Sequence, residues 1–192
     1  MPAADYVYAF AHKLFRFYKN AGIKMPPKIN NTVVWQQAEL LMQPAFIRVI
    51  DHIGKQLEES DWKGTYQDVL IWPTGTTEET KAIVTQLLQQ KESAAAEDLA
   101  DIEQTLSRLG QPYPGYYLCL QRQEQQVKVD LWELCYQVCF RHYSPLDNQF
   151  GGNVAEIDTS LIDETGDVDW PRLDAKAVAI VEQVFANLPP LK

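Results

Sequence analysis

The chain has 192 residues, 46% of them hydrophobic and 22% charged, with a formal net charge of -9; that is enough apolar material for a real core, with one domain as the default and disorder excluded for most of the length. Apolar runs such as YVYAFA and AVAIV fall far short of the roughly 18 residues of a membrane span, and three cysteines do not make a disulfide framework. The opening MPAADYVYAF lacks the basic n-region and cleavage pattern of a secretory leader, so the expectation is a reducing cytoplasm with no membrane insertion.

The charge is unevenly spread. Residues 1–56 carry seven basic side chains against three acidic ones, whereas residues 57–192 carry ten against 23. Within a single domain over 1–192, this separates a helical, basic part (1–60) from a mixed α/β, acidic part (61–192). Such asymmetry serves either as a face for a partner or as an attraction between two lobes.

Periodicity predicts a helix over residues 4–19. Val7, Phe10, Ala11, Leu14, Phe15, Phe17 and Tyr18 share a broad apolar arc, and His12, Lys13, Arg16 and Lys19 lie on the opposite strip. Gly22 and the following KMPPK end it. A second helix opens after Asn31 or Thr32 with Val33, Val34, Trp35, Ala38, Leu41 and Met42 inward. Pro44 either kinks that helix or starts a third, along which Phe46, Val49, Ile50, Ile53 and Leu57 recur.

Val69–Trp72 is a short continuous apolar run that reads as a buried strand. Thr76 and Glu79 fit a capping box for a helix reaching about Gln90, and an alanine-rich helix follows, ended by Gly110. Tyr116–Arg122 and Gln126–Leu131 read as a hairpin around a polar turn. LWELCYQVCFRHY reads as helix, with a strand as its rival, and VAEIDTSLI as one more strand. Asp169 caps a last helix with Pro171 early in it. The order predicts an α+β fold: an N-terminal helical unit packed with a small, mostly antiparallel sheet and further helices.

Three patterns bear on chemistry. On a continuous helix, Cys135, Cys139 and His142 fall at i, i+4 and i+7, within roughly 60° of one another, and Cys119 on the preceding strand would complete a Cys3His set of the kind that holds structural zinc. The alternative is that these cysteines are small apolar core residues. Gly75, Thr76 and Thr77 stand at a strand end and a helix start, where free amides favour an anion, although ordinary capping accounts for the same residues. EIDTSLIDETGDVDW clusters carboxylates that suit a divalent cation or an acid and base pair, Asp163 and Asp167 among them, but without the spacing of a calcium loop. A solvated turn before a helix cap is the simpler account. His12 and His52 fall on polar helix faces and receive no role.

The leading expectation is therefore a non-catalytic protein-interaction or assembly-factor module with no cofactor. Tyr6, Phe10 and Phe17 would anchor a protein partner, and Lys13, Arg16 and Lys19 would steer it, which fits an acidic partner. Association of identical chains stays open, and no nucleic-acid partner is expected of so acidic a molecule. The first alternative is a small-molecule or phosphate-handling enzyme that uses the 73–80 loop and the acidic 156–169 segment. The second is a zinc protein built on the Cys3His set.

The run HKLFRFYKNAGIKMPPKINN, His12–Asn31, together with VTQLLQQ and RQEQQV, resembles an uncharacterised cyanobacterial protein family. The resemblance covers about the first third of the chain and brings no activity or residue role with it. It implies a cyanobacterial cytoplasm and a partner tied to photosynthesis or its assembly.

Overall fold

The computed structural model describes residues 31–73, 75–143 and 156–190. These form five α-helices and five strands in an α+β arrangement. They divide into two compact units: residues up to Gln67 together with those from Tyr116, and Asp68–Gly115. Residues from Tyr116 on thus group with those up to Gln67, on both sides of the change in charge at residue 60. The expected helix over 4–19 lies outside the described residues.

In the first unit, α1 (Thr32–Glu58) starts where Asn31 Oδ1 accepts from the Val33 amide at 2.8 Å, satisfying one of the free donors of a helix start. Pro44 lies inside this one helix and does not begin another. The buried stripe is Ala38, Leu41, Met42, Ala45, Phe46, Val49 and Ile53. Val33, expected inward, is 56% exposed in the first turn. α4 (Leu131–Cys139) and α5 (Trp170–Ala186) pack against α1 and against each other. Phe46 stacks on Trp132 at 5.2 Å between centroids and lies 5.9 Å from Tyr116. Leu173, Ala177 and Val181 are the buried stripe of α5, and Asp169 caps it by accepting from the Arg172 amide at 3.1 Å.

β1 (Lys63–Ile71), β2 (Tyr113–Arg122) and β3 (Gln125–Asp130) form an antiparallel sheet in the order β1-β2-β3. The β2–β3 register runs from Tyr117↔Asp130 to Arg122↔Gln125, so a two-residue turn, Gln123 and Glu124, closes the expected hairpin. Gln123 takes φ 54° to make it. The buried strand expected at Val69–Trp72 is a longer edge strand with Leu70 62% exposed. A continuous apolar run signals burial on both faces in a parallel sheet, and this sheet is antiparallel.

Two short strands, β4 (Phe140–Arg141) and β5 (Glu156–Ile157), pair antiparallel, followed by a 3-10 turn at Thr159–Leu161. In the second unit, α2 (Glu78–Ser93) and α3 (Ala96–Leu109) pack as a helical hairpin, bridged by Lys91 Nζ and Glu103 Oε1 at 2.8 Å. Gly110 ends α3 at φ +81°, a backbone that glycine adopts without the usual side-chain clash. No described helix is long and apolar enough to cross a membrane.

Candidate functional site

The four residues proposed for zinc do not converge, because the helix they require ends too soon. α4 stops at Cys139, Phe140 turns extended to pair with Ile157, and His142 takes φ 51°. The i, i+4, i+7 face therefore loses its histidine. Cys119 donates instead to Gln67 Oε1 at 3.5 Å. No three His, Cys, Asp or Glu side chains among the described residues are grouped to hold a metal ion. Cys135 and Cys139 are fully buried, and burial pushes both thiols well above their ordinary range.

At the proposed anion loop, the threonines are engaged in turn and cap. Thr76 donates both its amide and its hydroxyl to Pro73 O, at 3.1 and 2.6 Å, beside Gly75 at φ +85°. The cap of α2 is Thr77, which accepts from the Thr80 amide at 3.2 Å, rather than the expected Thr76 with Glu79. Glu78 and Glu79 open the helix with negative charge. The loop belongs to the second unit and the 156–169 segment to the first.

Within that acidic segment, Asp163 Oδ1 accepts from Thr165 Oγ1, Thr165 N and Asp167 N at 2.6, 2.8 and 3.1 Å. These bonds hold its carboxyl below the usual range and make it the hub of a turn closed by the Ile162↔Val168 bridge. The anchors Tyr6, Phe10 and Phe17 and the cations Lys13, Arg16 and Lys19 lie outside the described residues.

Two polar clusters were not legible as sites. Arg48 and His52, one turn apart on α1, both reach Asp174 Oδ1 on α5, from Nε at 2.5 Å and Nε2 at 2.7 Å. Asp174 is held at about 2, chiefly by the Arg48 hydrogen bond and then by His52. An ionised carboxylate only accepts, so His52 Nε2 carries the shared proton. His52 is thus a buried strut, 8% exposed, and not the surface residue its helical position suggested.

The second cluster surrounds Asp158. Burial alone would raise this carboxyl, but hydrogen bonds from Lys176 and Ser160 and the Lys176 charge bring it down to about 2. Lys176 Nζ lies 2.9 Å from Oδ2, and Ser160 Oγ and N lie 2.7 and 3.3 Å from Oδ1. Arg141 Nε approaches Oδ1 at 3.5 Å while its Nη2 donates to Thr159 at 3.3 Å. A cleft of about 620 Å³ opens beside this cluster, lined by Arg141, His142, Asp158 and Lys176 and walled by Tyr143 and Ile180. The sequence signals available were the lone basic pair Arg141–His142 after a buried helix and a lysine on the exposed side of α5.

Elsewhere in the first unit, Arg122 sits 4.4 Å over the Trp62 ring and donates through Nη2 to Gln125 Oε1 and Pro189 O, tying the C-terminal segment to the hairpin. Exposed apolar side chains are Tyr66, Leu70, Ile83 and Trp170, besides Val33. Comparison with protein-family models, with curated proteins and with solved structures finds no match to this chain.

Proposed function

We propose that this chain is a non-catalytic protein-interaction module of the assembly-factor type, and that the unit Asp68–Gly115 carries its docking surface. The observation that supports this reading is how little the helical hairpin buries. Among the side chains described, α2 buries only Val84 and α3 only Leu106, while Ile83 stands 49% exposed. Helices in proteins draw most of their stability from packing an apolar face, so a hairpin with so thin a seam gains by docking on a partner.

Residues 68–115 carry eight acidic side chains against three basic ones, and Lys81 and Lys91 are already paired with Glu78 and Glu103. The exposed acids Glu97, Asp98 and Asp101 on α3 favour a basic partner for this unit. An acidic partner remains the proposal for the Lys13, Arg16 and Lys19 strip. A reducing cytoplasm suits three free thiols, and the resemblance of His12–Asn31 supports a cyanobacterial one.

The test is quantitative affinity purification with the wild-type chain, Ile83→Asp, and the double variant Asp98→Lys, Asp101→Lys, followed by titration of the purified partner. One basic protein should lose about tenfold or more in affinity with each variant, as removal of an apolar anchor or its steering charges does. Equal binding of every co-purified protein by all three chains refutes the assignment.

A further inference from the structure

We infer that the cleft between the α4–β4 corner and α5 binds a small organic anion, with a carboxylate or phosphate head and a compact apolar or aromatic body. In a chain of net charge -9, this cleft gathers two permanent cations, Arg141 and Lys176, against one carboxylate, Asp158. His142 adds a third nitrogen donor at its mouth. The lining itself is thus net positive where the molecule as a whole is negative, with Glu156 standing opposite Arg141 across the β4–β5 pair outside the lining.

The cations are held in place and keep donors to spare. Arg141 lies 3.5 Å from Asp158 through Nε, an ion pair rather than a hydrogen bond, and donates Nη2 to Thr159 at 3.3 Å, so most of its planar fork faces outward for an oxyanion. Lys176 spends two of its three N–H donors, on Asp158 Oδ2 at 2.9 Å and Phe140 O at 3.5 Å. Asp158 is itself fixed by Ser160 and by its own amide, which donates to Cys139 O at 2.9 Å. Asp158, partly buried, thus holds Lys176 by a hydrogen bond and attracts Arg141 by charge before any ligand arrives, and charge-assisted hydrogen bonds lose less on binding when their donors are already placed.

A cation is the wrong occupant, because the only carboxylate among the described lining residues already accepts from Lys176 and Ser160. The volume, about 620 Å³, matches sites for organic ligands and exceeds what a bare inorganic ion fills. Tyr143, its ring tilted 53° to that of Tyr136 at 5.5 Å, supplies an aromatic wall and Ile180 an aliphatic one, and the amides of Gln137 and Gln183 offer polar contacts for the body. His142 lines the cleft from a left-handed backbone, φ 51°, a conformation that costs a non-glycine residue free energy and recurs at ligand sites.

The experiment is an NMR titration of the full isotope-labelled chain at low salt with benzoate, phenyl phosphate, inorganic phosphate and benzyl alcohol. Benzoate and phenyl phosphate should bind saturably with Kd on the order of 1 mM, shifting the resonances of Arg141, His142 and Lys176. Inorganic phosphate should bind at least about fivefold more weakly and benzyl alcohol not at all.

Arg141→Gln should weaken benzoate about fivefold or more. Gln183→Glu, on the exposed side of α5, adds a carboxylate to the same cleft and should weaken binding; it carries the test if Arg141→Gln does not fold. Three results overturn the inference: no saturable shift up to about 20 mM, binding of benzyl alcohol equal to benzoate, or affinities that ignore these variants. Inorganic phosphate binding as tightly as phenyl phosphate would overturn the organic body.

Discussion

Replacing Asp174 tests how α1 and α5 are held together. In Asp174→Ala, His52 Nε2 loses the acceptor that lies 2.7 Å away while the ring stays 8% exposed; stranding a buried donor costs about 1–3 kcal/mol. Arg48 is more accessible and keeps Asp51 at 3.5 Å, so its loss adds at most about 1 kcal/mol after solvent screening. The expected destabilisation is about 1–4 kcal/mol.

Asp174→Asn retains an acceptor oxygen and removes only the charge, so it should cost at most about 1 kcal/mol. The pH dependence has a definite sign. Asp174 titrates at about 2 in the folded chain against an ordinary 3.8, so its contribution is complete above the unfolded value and is lost as pH falls through the folded one. The gap between wild type and Asp174→Asn should therefore close between about pH 4 and pH 2. Urea unfolding followed by tryptophan fluorescence reads all of this, since Trp62 and Trp132 are buried in the same unit. An alanine variant within about 0.5 kcal/mol of wild type, or one indistinguishable from asparagine, would refute the idea that the shared acceptor joins the helices.

Two further outcomes follow from burial. Phe46→Ala removes a fully buried ring stacked on Trp132 and should destabilise the first unit by about 3–5 kcal/mol, read as a drop in urea midpoint; a change below about 1 kcal/mol would deny Phe46 its central place. Thiol titration of the native chain should modify Cys119 first, with Cys135 and Cys139 reacting only after denaturation, because burial disfavours both thiolates. Rapid native modification of all three would contradict that packing.

Legibility tracked how local each signal is. Asp169 with Pro171, Gly110 after an alanine-rich helix, and the polar turn between two β-prone runs are chemical instructions confined to a few residues, and each marks the element it was expected to mark. The errors arose where neighbours across the chain decide. Cys139 ends α4 because Phe140 finds Ile157 seventeen positions on, and no helical periodicity contains that information. Leu70 is exposed because its face of an antiparallel sheet is left open to water. The Asp174 and Asp158 clusters were invisible for the same reason: Arg48 and Asp174 stand 126 positions apart, and a polar residue on a helix gives no sign of which helix it will face.

The charge asymmetry of the sequence can now be divided between its two explanations. Arg48 from the basic part does pair with Asp174 from the acidic part, so attraction between the two parts of the chain is real. It is also small. Lys55 is spent on Asp51 within its own helix, and the acids Asp158 and Asp169 are neutralised by Arg141, Lys176 and Arg172, which belong to the acidic part themselves. Among the described residues, pairing across the charge division thus consumes little of the surplus. The acids of residues 68–115 stay largely in water, where like charges repel and cost stability. Such a surface, on helices that bury one described side chain each, is what the proposed docking role would use.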